Sequence, residues 1–529
     1  MSGVGKGIAV ASIGRLLQAH GIKATAIKID PYINVDAGTM NPTEHGEVFV
    51  LRDGLECDQD MGNYERFLGT DLSGANYMTT GSVYRKIIND ERNMRYKGKC
   101  VEVVPHVPLE VISRIKHAAK VNKAEVVLIE IGGTIGEYQN VLFLEAIRIL
   151  RLKESDSVFL ALVSYLPLQG DGNELKTKPT QYAIKSLNAA GLHPDMVFAR
   201  AKTPLDKKRK EKIAFNCSIS VENVISAPDV ESIYDIPNNF KRENVDKIIL
   251  ESLGLKSRGF RFKDWAHAAR RAHSAKHRVK IGIVGKYFST GSFMLADSYI
   301  SVIESIRHAS YSLNLKPEIV WLNADDYVGA RNLNDLKKFD GIIVPGGFGG
   351  RGIEGKIAAI KFCRENKIPY FGLCYGMQLA AVEIARHVAK LKGAHTVEIN
   401  PHTKYPIIDV MPDQKEKLAN HDYGGTMRLG SYTARISKGT IAEKAYEKHT
   451  ISERHRHRYE VNPKFIAKLE KAGAVFSGKS PDGKLMEIME LPRTKHPFFL
   501  GTQFHPEFQS SLLSPHPLFV EFIRASAEK

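Results

Sequence analysis

The chain has 529 residues, enough for two or more domains with separate cores. Hydrophobic residues make up 43% and charged residues 25%, which excludes a disordered or fibrous protein. No apolar run approaches the roughly 20 residues of a membrane span, and the N-terminus carries no signal-peptide pattern. A formal charge of +16 raises the question of nucleic acid. The excess is local, however: nine Lys/Arg against one Asp lie between Lys256 and Lys280, with a short run at Lys207-Lys208-Arg209-Lys210. No nucleic-acid-binding motif accompanies it, so the expected partners are small anions such as nucleoside triphosphates, not nucleic acid and not membrane. The five cysteines are scattered with no CxxC pair, which points to a reducing, cytoplasmic compartment.

In chain order, Gly3-Val4-Gly5-Lys6-Gly7 precedes an Ala-rich helix through Leu17 and reads as a phosphate cradle, with Lys6 reaching an outer phosphate. The usual Ser/Thr after the lysine is replaced by Gly7. Residues 24–29 and 125–131 read as strands following helical segments, the pattern of a parallel, doubly wound sheet. Two acidic places could hold Mg²⁺: the run Glu56-Cys57-Asp58-Gln59-Asp60, and Glu130 at the carboxyl end of an apolar strand. Asp60 and Glu130 are the chosen pair, since magnesium takes one or two carboxylates besides phosphate oxygens. Lys176-Thr177-Lys178-Pro179-Thr180-Gln181 offers two cations and an amide within six residues, suited to a triphosphate and a polar base, although a solvated turn would read alike.

Residues 255–277 are basic, poor in apolar patterning, and read as a linker between a domain over 1–254 and a second over 278–529. The second begins with a strand at 279–285. A further strand at 339–344 leads into Pro345-Gly346-Gly347-Phe348-Gly349-Gly350. Residues 368–373 read as a buried strand and 377–391 as a helix, which places Cys374 at the turn between them, flanked by Gly372 and Gly376. A thiol at a helix N-terminus meets a dipole and free N–H groups that favour thiolate. Far downstream, His505 and Glu507 stand two apart in what reads as a strand end. Both side chains then point one way, and the carboxylate can hold the imidazole that takes the thiol proton. Alone, Cys374 would read equally as a buried structural cysteine.

These residues, together with Lys28 to Asp36, His45 to Val50, Glu130 to Thr134, Gly346 to Gly349 and Arg454 to Glu460, give the whole chain a resemblance to the CTP synthase family. That family couples a P-loop-type synthetase (amidoligase) domain to a class I glutamine amidotransferase domain. The resemblance implies an α/β chain of two doubly wound domains that aminates UTP to CTP, with ATP and glutamine consumed.

It further implies roles. Cys374 attacks the glutamine amide, His505 relays the proton and Glu507 orients His505. Backbone N–H groups of Gly347 and Tyr375 meet the oxyanion. Gly376, Met377, Gln378, Glu398 and Arg458 bind glutamine, with Arg458 on its carboxylate and Glu398 on its amine. Pro42, His45 and Val48 gate the released ammonia. The loop from Gly3 to Gly7, Lys28 and Asp60 hold ATP, and Asp60 and Glu130 hold Mg²⁺. Lys176, Lys178, Gln181 and Lys212 bind UTP across a subunit interface, while Glu137, Tyr138 and Gln139 face the feedback inhibitor CTP. GTP activation and a homotetramer are implied as well.

The chain departs from the family in two places that matter. The family has a strand and a Thr-Gly-Gly segment before its phosphate loop, absent here, so an N-terminally truncated member is expected; a real loss of that strand would impair the synthetase. Gly136-Glu137-Tyr138-Gln139-Asn140 replaces the usual Gly-Asp-Ile-Glu-Ser, so altered CTP inhibition is expected. Two other functions fit parts of the sequence. One is a regulatory or polymerising relative that keeps only the glutaminase. The other is an amidase of the same plan acting on a cobalamin precursor, which the 176–181 and 28–36 blocks disfavour.

Overall fold

The computed structural model describes residues 3–529 except 170–173, 287, 288, 291, 292, 295, 412, 413 and 415–424. The chain forms two compact units. One comprises Met1–Asp36 and Asn63–Ala269, and the other Ala37–Gly62 and Arg270–Lys529.

In the first unit, Ala24–Asp30 is the middle strand of a three-stranded sheet, flanked in parallel by Tyr77–Thr79 and Val126–Ile131. A second three-stranded parallel sheet has Met196–Ala201 between Val224–Pro228 and Ala161–Tyr165. Parallel neighbours require crossover connections, and helices such as Val103–Val121, Lys178–Ala189 and Lys207–Cys217 supply them. Ile27, Ile29, Val111, Ile115, Phe143 and Ile147 join strands to helices in one of its cores.

The basic stretch at 255–277 is not an extended linker. It contains the helix Lys263–Ser274, whose Trp265 is fully buried. The Trp265 ring packs on Phe67 and Tyr234, and its indole N–H donates to the Tyr234 carbonyl at 3.0 Å. Upstream, Arg258 grips Glu125 through both terminal nitrogens. The stretch is thus fastened to the first unit by one aromatic anchor and one bidentate ion pair.

The second unit is built on a nine-stranded sheet. Five strands run parallel in the order Leu315–Asn323, His277–Gly285, Gly341–Val344, Tyr370–Leu373 and Phe499–Thr502. Met486–Glu490, Val475–Lys479, Arg428–Ile436 and Thr450–His457 continue it in antiparallel fashion. Successive residues of a strand face opposite sides, and the cores follow that rule. Val284, Ile342 and Tyr370 enter one core, while Ile283, Ile343 and Phe371 enter the other. Both faces are covered, as the doubly wound reading requires.

Residues 37–62, read from sequence as part of the first domain, pack within this second unit. Val48–Val50 and Glu56–Asp58 form a buried antiparallel hairpin. Its Val50 carbonyl accepts from Arg454 Nη1 at 3.1 Å, and its Arg52 carbonyl from the Ser431 N–H at 3.0 Å. Gly54 and Gly430 meet backbone to backbone: a Cβ on Gly430 would lie 2.7 Å from the Gly54 nitrogen. Among the described residues, no helix is long and apolar enough to cross a membrane.

Candidate active site

Cys374 occupies the turn that the sequence predicts. The strand Tyr370–Leu373 ends one residue before it and the helix Tyr375–His387 begins one residue after. Its backbone lies at φ 48°, ψ −96°, a strained conformation for a residue with a side chain. The flanking glycines are required by close approach. A Cβ on Gly372 would sit 2.7 Å from the Gly376 carbonyl carbon, and one on Gly376 only 2.1 Å from the Val344 oxygen. The Cys374 N–H donates to the Thr502 carbonyl at 2.7 Å, which ties the elbow to the neighbouring strand. The sulfur receives the Gln503 side-chain amide at 3.6 Å.

His505 and Glu507 meet as expected, Nδ1 to Oε1 at 2.7 Å, but not on a strand. The strand stops at Thr502, and Pro506–Gln509 form a 3₁₀ turn that brings the two side chains together. The His505 N–H donates to the Arg454 carbonyl at 2.8 Å and its ring stacks on Phe508. Burial alone would lower the imidazole pKa. The adjacent Glu507 and Cys374 overcome it and raise His505 to about 10, so the ring is an imidazolium at neutral pH. The other ring nitrogen of His505, Nε2, is buried and makes no hydrogen bond among the described residues. Gly346 lies against this pair, since a Cβ there would meet His505 Cε1 at 2.9 Å and Cys374 Cβ at 3.7 Å. Gly346-Gly347 therefore borders the reacting atoms. Tyr375 is the first residue of its helix, where backbone N–H groups point toward the helix end.

The expected glutamine-binding residues lie in the same compact unit as this centre. Gln378 donates to the Tyr459 carbonyl at 2.8 Å and to Gln503 at 3.2 Å. Arg458 is buried and donates to Gln414 at 2.9 Å and Thr426 at 3.0 Å. Glu398 accepts from the Gly349 N–H at 2.6 Å, and burial raises its pKa. Gly376 and Met377 form the first turn of the Cys374 helix, with Met377 packed on Gly501. The gate candidates lie in the same compact unit: Pro42 accepts from Ser298 Oγ at 3.1 Å, His45 pairs with Asp58 at 3.2 Å, and Val48 is buried. Asp58 thus faces an imidazole and Glu56 an arginine, Arg456, at 2.8 Å.

In the first unit, Lys28 and Glu130 are register partners on adjacent parallel strands, so their side chains face the same way. Lys28 Nζ lies 3.1 Å from Glu130 Oε1 and 3.7 Å from Asp30, all three buried. Tyr64 donates to the other Glu130 oxygen, and Tyr32 and Tyr77 each donate to Asp30 at 3.0 Å. Asp30, Tyr64 and Tyr77 escaped the sequence reading as site residues. The one available signal was a carboxylate on an apolar strand, Asp30 after Ile29.

Glu130 and Asp30 supply hard carboxylate oxygens at the carboxyl ends of parallel strands, a donor set that suits Mg²⁺. Among the described residues there is no cluster of three or more metal-capable side chains. Asp60 begins the helix Asp60–Leu68, its N–H donating to Asp58 at 2.8 Å.

The phosphate-loop candidates form the turn before the first helix. Gly5 takes φ 88° and caps the helix Lys6–Ala19, with Val4 and Gly7 buried and Gly3 at φ 69°. Lys176 pairs with Glu174 at 2.7 Å, and Gln181 is buried, donating to Thr177 at 3.2 Å. Lys178 opens the helix Lys178–Ala189 and Lys212 lies midway along the helix Lys207–Cys217, both exposed. Glu137 accepts from the Thr134 N–H at 3.1 Å and from Gln139 at 2.9 Å, while Tyr138 is 98% exposed.

Comparison with known proteins agrees with both halves. The family model described as CTP synthase N-terminus matches residues 1–255, and that of class-I glutamine amidotransferase matches residues 294–525. A CTP synthase of Pyrococcus furiosus is 48% identical over 531 residues, covering 100% of this chain and 96% of the relative. One from Pelotomaculum thermopropionicum is 47% identical, covering 99% and 96%. One from Halalkalibacterium halodurans is 45% identical, covering 100% and 98%. With a thiol–imidazole–carboxylate centre in one unit, a buried lysine–carboxylate centre in the other, and relatives matched end to end, the chain belongs to the CTP synthase family.

Proposed function

We propose that this chain converts UTP, ATP, glutamine and water to CTP, ADP, phosphate and glutamate, as a carbon–nitrogen ligase. The observation that carries this reading is the Cys374 elbow beside the His505–Glu507 pair in a chain that also holds the Lys28–Glu130 centre.

Cys374 sulfur attacks the side-chain carbonyl carbon of glutamine, forming a C–S bond and moving the π electrons onto oxygen. The N–H groups of Gly347 and Tyr375 receive that oxyanion. His505, charged at neutral pH, gives its proton to the departing nitrogen, and ammonia leaves as the carbonyl reforms. Water, deprotonated by His505, then cleaves the thioester to glutamate. Glu507 holds the imidazole in one tautomer throughout. Arg458 takes the substrate carboxylate and Glu398 its amine, with Gln378, Gly376 and Met377 completing the pocket.

In the other centre ATP phosphorylates the 4-oxygen of UTP, and ammonia then displaces phosphate from that carbon. Gly3 to Gly7, Lys6 and Lys28 steady the ATP phosphates. Glu130 and Asp30 would hold Mg²⁺, whose positive charge would offset the negative charge of the transferring phosphoryl group. Lys176, Lys178, Gln181 and Lys212 bind UTP, and Glu137, Tyr138 and Gln139 face CTP as inhibitor. The exposure of Tyr138, Lys178 and Lys212 supports sites completed by a second copy in a homotetramer. GTP is the proposed activator, Pro42, His45 and Val48 the ammonia gate, and the cytoplasm the working compartment.

Glutamine labelled with ¹⁵N at the amide tests the reaction. The label is expected on the exocyclic nitrogen of CTP when UTP and ATP are present. Unlabelled CTP, or glutamate released without CTP, would contradict it.

A further inference from the structure

We propose that Lys356 is a positioning residue of the glutamine-hydrolysing site, acting through the ring of Tyr375 on the loop that borders Cys374. The inference rests on the glutaminase reading above and adds a residue to it.

Lys356 lies in the helix Ile353–Glu365 with 0% exposure, and its helix neighbours Ile357 and Ile360 share a core cluster with Val284, Tyr327, Tyr370 and Tyr375. Its Nζ makes no hydrogen bond among the described residues. A buried ammonium without a partner costs stability, and methionine would fill the same shape without that cost. What the ammonium faces is the Tyr375 ring, 5.6 Å from its centroid, within the range of a cation–π contact.

Tyr375 connects this lysine to the chemistry. It follows Cys374 directly, and its hydroxyl donates to the Gly349 carbonyl at 3.5 Å. Lys286 Nζ donates to the same carbonyl at 3.2 Å and to that of Phe348. On its other side, the Gly349 N–H is held by Glu398 at 2.6 Å. The 346–349 loop is thereby clamped between one lysine, one phenol and one carboxylate, and Lys356 stands behind the phenol ring. The helix carrying Lys356 cannot slide: a Cβ on Gly355 would lie 1.8 Å from the Ala324 oxygen. Lys356 is therefore held rigidly behind the ring.

Its titration fits the placement. Burial, then repulsion from Lys286, lowers Lys356 to about 7. Lys286 in turn feels Glu398, Arg351 and Asp325. The charge that faces Tyr375 thus comes and goes around neutral pH.

The test compares the full chain with K356M, Y375L and the double variant, reading glutamate release, CTP formation with ammonia, and Tm. Wild-type glutamate release, read first, checks the underlying glutaminase reading by itself. K356M is expected to raise Tm, lower kcat for glutamate release about tenfold with little change in KM, and leave the ammonia-supported rate intact. Y375L is expected to give a similar kcat loss, and the double variant no further loss. K356M with a raised Tm and wild-type kcat would make the lysine mere filler and overturn the proposal. Losses that multiply in the double variant would overturn it too. Should K356M fail to fold, Y375L decides alone: an unchanged kcat refutes action through the ring.

Discussion

Arg456 Nε lies 2.8 Å from Glu56 Oε1, an ion pair between residues 400 apart in sequence. The Glu56 side chain is fully buried, and the Arg456 carbonyl sits 3.9 Å from the Cys374 sulfur. A hairpin from the N-terminal half thus anchors the strand that frames the nucleophile. Removing one partner strands the other charge in a dry place, at about 3–5 kcal/mol for a buried pair. Glu56→Ala is expected to lower the denaturation midpoint of the second unit and slow glutamate release. Glu56→Gln with Arg456→Met should recover most of the stability, and calorimetry with a glutamate assay checks both.

Lys28 and Glu130 make the corresponding pair in the first unit, 3.1 Å apart. Glu130→Gln is expected to reduce CTP formation with either nitrogen donor by at least about a hundredfold, the scale of removing charge stabilisation from a phosphoryl-transfer site. Glutamate release should persist. Parallel assays of CTP and glutamate read the split, and an equal loss of both would contradict the assignment.

His505 and Lys356, both in the second unit, predict opposite pH slopes. His505 rises from 6.5 to about 10 in the fold, so its stabilising charge is complete below about 6.5 and lost as pH climbs through about 10. Lys356 falls from 10.5 to about 7, so the unfolded chain binds the extra proton between those values and stability grows with pH. The wild-type minus His505→Asn difference in unfolding free energy should therefore shrink from pH 7 to 10. The wild-type minus K356M difference should move the other way. Denaturant melts across that range measure both.

Lys178 and Lys212 are exposed cations, which suits a mobile triphosphate better than a structural role. Lys178→Ala is expected to raise the KM for UTP about tenfold, one charge-assisted phosphate contact, with the KM for ATP unchanged. Initial-rate kinetics with each nucleotide varied decides.

Which features were legible follows from how local they are. The Cys374 elbow could be read because strand, glycine, nucleophile, glycine and helix are contiguous. The His505–Glu507 contact was readable, but its conformation was not: Pro506 turns the chain into a 3₁₀ segment where alternation suggested a strand. Asp30, Tyr64 and Tyr77 were missed because their site depends on strand register across the first sheet, which no short window encodes. The same holds for residues 37–62, whose bonds to Arg454 and Ser431 span hundreds of residues. Trp265 lay hidden in a run of charge, although its spacing to Ala269 places both on one buried helix face.

The most direct measurement is the nitrogen-donor preference of Cys374→Ala. CTP formation from glutamine should vanish, while formation from ammonium at alkaline pH stays near the wild-type rate. Loss of both activities, or survival of the glutamine-dependent one, would contradict the separation of nitrogen release from pyrimidine amination.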